Sequence, residues 1–260
     1  MARHRGGAGH VHPGAVDRAQ APLLPGGRGG ECPGREGLVD LDQVGVRDFP
    51  AAMRLMSGPG FPLSLLGLVH TSREITRHRT VPVAGTHGPS VRIEGPAPHR
   101  RGTEAAVVTG LRSPGGDLVR ESRSTYPARH RASGPPASGR PAPRPEEESA
   151  TAQPLSVVDA WLPAGDTGRR YGAAAGDRNP VHRHPLTARL FGFPRAIAHG
   201  MWTVARCLAA RGAPEAVTVR AGFEAPVLLP GTVTYGARYG HFGLRGPGDR
   251  LHLTGQVRPA

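Results

Sequence analysis

The 260-residue chain reads as an α+β protein. Three observations carry that reading. One apolar-periodic segment near residues 199–211 has the length and spacing of a buried helix. Strand-like runs follow it consecutively, with no helix between them. Strand and helix do not alternate as they would in a doubly wound parallel sheet.

Residues 1–50 are dominated by Gly, Pro, Arg and His and hold neither a 3.6 nor a 2.0 hydrophobic period. They are expected to be an atypical, disordered leader. Residues 51–126 form a first half of mixed character. Met53 and Met56 suggest a helix remnant, and residues 61–70 are an apolar stretch ending at His70. Strands are expected at 72–75, 80–83, 90–93, 104–111 and 117–124, with Pro114-Gly115-Gly116 as a hairpin turn. Residues 127–153 are a Pro/Gly/Arg-rich linker whose composition cannot bury a core. The run Glu146–Glu148 within it reads as solvated charge.

Residues 154–260 are the second half. A strand is expected at 155–162, followed by a short helix that Asp166 and Thr167 could cap and that runs to Ala174. A second short helix spans 184–191 and is closed by Gly192, and the long helix at 199–211 stops at Gly212. Strands follow at 216–223, 232–239 and 251–257, with Leu229-Pro230-Gly231 as a turn.

The formal charge of +13 would ordinarily point to nucleic acid. Every basic residue is arginine, however, and the arginines are scattered or lie in Pro/Gly-rich stretches. They lack the aromatic interleaving of a single-strand platform, so nucleic acid is not an expected partner. Cys32 and Cys207 make neither a disulfide framework nor a CxxC metal site. No apolar run reaches the ~20 residues of a membrane span. The opening MARHRGGAGHVHPG has no apolar signal core, and a cytoplasmic location is the expectation.

Candidate chemistry concentrates in residues 171–208. Asp177 and His182 are five positions apart, which on a helix would set them about 140° from one another. Pro180 also drives Asn179 out of the α region. The pair therefore belongs on a loop, where a carboxylate beside an imidazole can hold and activate water. Farther on, His199 and Gly200 open the long helix, whose free N–H groups can receive a developing oxyanion. Asn179 is expected to lock the loop by side-chain-to-backbone bonds, and His199 to orient the helix start. His184 invites a His-x-His metal reading with His182, but no further ligand completes a site, so no metal and no cofactor are expected. His70 and His99 are read as structural, with little effect on rate.

The run Gly176-Asp177-Arg178-Asn179-Pro180-Val181-His182, followed by Ile197-Ala198-His199-Gly200-Met201, resembles the signature of the MaoC-like (R)-specific enoyl-thioester hydratases and dehydratases. The segment from Phe61 to His70 is more loosely similar to the non-catalytic leading half of double hot-dog 3-hydroxyacyl-thioester dehydratases of actinobacterial type. The resemblance implies a hot-dog fold, two tandem copies with a degenerate first copy at 51–126, and the catalytic copy at 154–260. It implies hydration of a trans-2-enoyl thioester, carried on coenzyme A or a carrier protein, in fatty-acyl metabolism. Asp177 and His182 would be catalytic and the Gly200 N–H would take the thioester oxygen, with Asn179 and His199 supporting. Ala175 departs from the family, which often has Ser before Gly-Asp. A homodimer is compatible with this pattern. Two alternatives stand beside it: a hot-dog thioesterase, which would need a carboxylate that residues 201–210 lack, and an inactive binding or scaffold protein, suggested by the anomalous leader.

Overall fold

A computed structural model describes residues 44–65, 68–80, 87–99, 102–129, 154–212 and 214–260. In chain order the elements are helix α1 (Val44–Met56), strands β1 (Ser72–Arg77), β2 (Gly88–His99), β3 (Gly102–Arg112), β4 (Leu118–Arg129) and β5 (Ser156–Trp161), then helices α2 (Thr167–Ala175), α3 (Pro185–Leu190) and α4 (Gly200–Arg211), then strands β6 (Val217–Phe223), β7 (Val233–Arg238), β8 (His241–Arg245) and β9 (Leu251–Pro259). The strands form one nine-stranded antiparallel sheet in the order β2-β3-β4-β1-β6-β9-β8-β7-β5. Strands β1 to β4 lie on one side and β5 to β9 on the other. The two sets meet where β1 pairs with β6, Ile75 opposite Val219 and Thr76 opposite Thr218.

Each half packs a helix on its strands. In the second half, Val204, Cys207 and Leu208 on one stripe of α4 lie in a core with Val217, Val219, Tyr235, Phe242, Leu244 and Leu253. The i, i+3, i+4 spacing of those three residues is what puts them on a single face. Burying each large apolar side chain contributes about 1.5–3 kcal/mol. In the first half, Ala52 and Met56 of α1 pack on Ala105 and Val107 of β3, together with Phe61. That core is smaller, and the same half buries a polar network. Arg73 donates to Ser124 Oγ at 2.7 Å and to Ser122 Oγ at 2.8 Å. The chain is an α+β hot dog, a helix on antiparallel strands, with such an arrangement in each half.

Several expectations are corrected in detail. Helix α1 begins at Val44, so part of the stretch read as leader is helical, and Met53 to Met56 is the end of that helix. Strand β4 continues through Pro127 to Arg129, into the stretch read as linker. The strand expected at 232–239 is one arm of a hairpin: Tyr239 and Gly240 turn the chain at positive φ into β8, an element that the sequence reading missed. The proposed strand at 80–83 falls mostly outside the described residues, as do 1–43 and 130–153.

Candidate active site

The loop carrying Asp177 and His182 is folded back against α2. Gly176, at φ 74°, ends α2 in the left-handed conformation and turns the chain toward that loop. Asp177 Oδ1 accepts the Asn179 N–H at 3.1 Å, an Asx turn, and Asn179 Oδ1 accepts the Val181 N–H at 3.3 Å. Pro180 then starts a single turn of 3₁₀ helix, and His182 is its last residue.

Two glycines on α2 make the close approach possible. A Cβ on Gly168 would stand 1.9 Å from the His182 carbonyl oxygen, and one on Gly172 would stand 2.4 Å from that of Asp177. They are four residues apart, hence on the same face of the helix. The signal was present as a Gly-x-x-x-Gly spacing just before the loop, and the sequence reading did not use it.

The His182 imidazole has a defined tautomer. Its Nδ1 lies 2.9 Å from the Ile197 carbonyl oxygen, which only accepts, so Nδ1 carries the proton and Nε2 presents the lone pair. That carbonyl is itself held: Ile197 N–H donates to Val181 O at 3.1 Å, Ala198 N–H to Val227 O at 2.8 Å, and Leu229 N–H to Ala196 O at 2.7 Å. The loop of Asp177 and His182, the entry to α4 and the 227–229 segment are thus laced together.

His199 is the N-cap residue of α4, but its side chain makes no capping bond. Instead its Nε2–H donates to the Asp177 carbonyl oxygen at 3.2 Å and stands 3.6 Å from Asp177 Oδ2. Its ring stacks on His182 with centroids 3.7 Å apart and meets the buried Tyr171 ring at 4.9 Å. Burial, reinforced by His182 nearby, lowers the His199 pKa to about 3, so the imidazole is neutral. Burial also raises the carboxyl of Asp177 and lowers the imidazole of His182.

Asp177, His182 and His199 each bring one ligand-capable atom within 4.8 Å of the others. Two imidazole nitrogens of this trio face carbonyl oxygens, His182 Nδ1 toward Ile197 O and His199 Nε2 toward Asp177 O. His184 is not part of it: its Nδ1 accepts the Leu186 N–H at 3.2 Å and caps α3. His99 ends β2 and is not one of this trio. Glu94, five residues before it, is ion-paired with Arg92 and Arg123 on an exposed face.

Gly200 is the first residue of α4, where the leading N–H groups have no partner within the helix. A Cβ there would lie 2.8 Å from Phe223 Cε1, so the glycine accommodates an aromatic ring. No carboxylate lies on α4 between Gly200 and Arg211. Among the described residues, no helix is long and apolar enough to cross a membrane.

Residues 142–240 match the family model described as MaoC like domain. The chain is 40% identical over 186 residues to 3-hydroxyacyl-thioester dehydratase X of Mycobacterium tuberculosis, covering 71% of this chain and 64% of that protein. It therefore spans somewhat less than two thirds of the length of that curated relative. A crystal structure of HtdX of Mycobacterium tuberculosis superposes with a TM-score of 0.71 at 31% identity, covering 86% of this chain and 88% of that one. A MaoC-like dehydratase from Phytophthora capsici, at 15% identity and a TM-score of 0.63, shares the fold. Matched both in its signature segment and across most of the HtdX structure, the chain belongs to the MaoC-like dehydratase family.

Proposed function

We propose that the protein catalyses the reversible interconversion of a trans-2-enoyl thioester and a (3R)-hydroxyacyl thioester, in cytoplasmic fatty-acyl metabolism. The observation that carries this reading is the pairing of the Asp177 carboxyl with a His182 imidazole whose Nδ1–H is bound to Ile197 O. In the hydration direction, His182 Nε2 removes a proton from water as its oxygen bonds to C3. Asp177 Oδ2 orients that water. The electron pair of the C2–C3 double bond moves onto the thioester oxygen, and C2 then takes a proton from the Asp177–His182 pair. The lone pair of His182 persists to lower pH than an exposed histidine's would, because burial disfavours its charged form.

The thioester oxygen would be met by the N–H of Gly200 and the positive end of α4. By comparison with other oxyanion donors, such a bond contributes about 3 kcal/mol to the barrier reduction. Asn179 and His199 act by holding the loop: one closes its turn, the other binds the Asp177 carbonyl. The acyl group would be delivered on coenzyme A or a carrier protein.

The test is a hydration assay over enoyl thioesters from crotonyl to long-chain, following loss of the conjugated thioester and the configuration of the product. Turnover giving the (3R)-alcohol is expected. A folded protein that binds these thioesters without turning over any of them would instead be an inactive binding protein.

A further inference from the structure

The ring that lies against Gly200 is not held by the second half alone. Phe223, the last residue of β6, packs on His70, with ring centroids 4.7 Å apart at 48°. His70 also stacks on Tyr126 of β4, at 4.8 Å and 19°. The backbone fixes this arrangement. Thr71 N–H donates to Thr125 O at 3.1 Å, and Thr71 O accepts the Phe223 N–H at 2.9 Å, so the residue next to His70 is bonded to both neighbouring strands. A continuous contact thus runs from β4 in the first half, through His70 and Phe223, to the start of α4.

We propose that His70 is a positioning residue for the reaction: clamped by Tyr126, its ring holds Phe223 against Gly200 and so fixes the first turn of α4. The proposal rests on the dehydratase reading, because that turn is where the thioester oxygen would be received. Gly200 has no side chain to restrain its own backbone, so a neighbour must supply the restraint. With His70 removed, the Phe223 ring could swing into the vacated space. Gly200 would lose its wall and its N–H its fixed direction. The alternative assignment of His70 to proton transfer fits poorly. Burial, with Arg73 nearby, lowers its pKa to about 3, so it is neutral and a poor proton donor. Its Nε2 is buried without a hydrogen-bond partner. A nitrogen left in that state disfavours folding, so the part of His70 that is used is its flat ring. This role differs from the expectation that His70 has little effect on rate, and the variants below decide between the two.

The experiment compares His70→Ala, His70→Phe, Phe223→Leu and the His70→Ala/Phe223→Leu double variant in the full chain. His70→Ala should lower kcat about tenfold to a hundredfold, the range expected when a reacting group is displaced by up to about 1 Å. KM should change much less. His70→Phe keeps a ring and removes the unpaired nitrogen, so it should restore kcat to within about threefold of wild type without lowering the melting temperature. The double variant should be no slower than the slower single, since both act through one contact. Wild-type turnover in His70→Ala, failure of His70→Phe to restore rate, or losses that multiply in the double variant would each overturn the proposal. A second readout does not depend on turnover: amide hydrogen exchange at Gly200 and Met201. Exchange should quicken in His70→Ala and return in His70→Phe. If the wild type turns over no enoyl thioester, the dehydratase reading fails and exchange alone decides, with unchanged exchange overturning the contact's role.

Discussion

Gly168 and His182 touch backbone to backbone: the Cα of one lies where any added Cβ would come within 1.9 Å of the other's carbonyl oxygen. That contact sets the depth at which the loop of Asp177 and His182 sits on α2. Gly168→Ala should push the loop outward and lower turnover by about a hundredfold or more, as expected for misplacement of about 1 Å. Gly172→Ala should act the same way through the Asp177 carbonyl. Ala173→Ser, on the exposed face of α2, is the matched control and should be near wild type. Full activity in Gly168→Ala would mean that the loop is held from elsewhere.

Asp177→Asn and His182→Ala should each lower hydration by about 10²–10⁴-fold, the usual contribution of a general acid or base. Circular dichroism should be unchanged. Near-normal rates in either variant would remove that residue from the proposed chemistry.

Gly200→Ala is predicted to disturb packing as well as substrate approach, because the new methyl meets Phe223 at 2.8 Å. The two effects separate in a Phe223→Leu background, where the methyl has room. There Gly200→Ala should cost little or no melting temperature. A further loss of turnover in that background would mark a role at the thioester oxygen. Unchanged turnover would leave packing as the whole reason for the glycine.

Stability should fall in acid. His199 and His70 have folded-state pKa values of about 3 against 6.5 for a free imidazole. As pH drops below 6.5 the unfolded chain takes up protons that the folded chain refuses, so stability is fully present above that value and is lost down to about 3. The slope approaches about 1.4 kcal/mol per pH unit for each such histidine. Urea unfolding at pH 7, 5 and 4 measures this, and His199→Asn should flatten the profile. An unchanged midpoint across that range would show that neither ring is held neutral in the fold.

The sequence made the second half legible because its signals are local. The period of α4, the Gly212 stop and the Asp-x-Asn-Pro turn each lie within a few residues of what they determine. Strand β8 was missed because its turn, Tyr239-Gly240, uses a tyrosine at φ 44° where Asn or Asp is the usual signal. The tautomer of His182 depends on Ile197, fifteen residues away and held by bonds to two other segments of chain, at Val181 and at 227–229. The ring contacts of His70 were out of reach for the same reason: its neighbours Tyr126 and Phe223 are distant in sequence and meet it only across paired strands.

The pairing of β1 with β6 has a kinetic consequence. A site whose walls came from two separate chains would come apart as the protein is diluted, and its rate per molecule would fall with concentration. Here the strand that positions His70 and the strand that ends in Phe223 belong to one polypeptide, so the assembly of that wall is unimolecular. Amide exchange at Gly200 should therefore be the same in dilute and in concentrated protein.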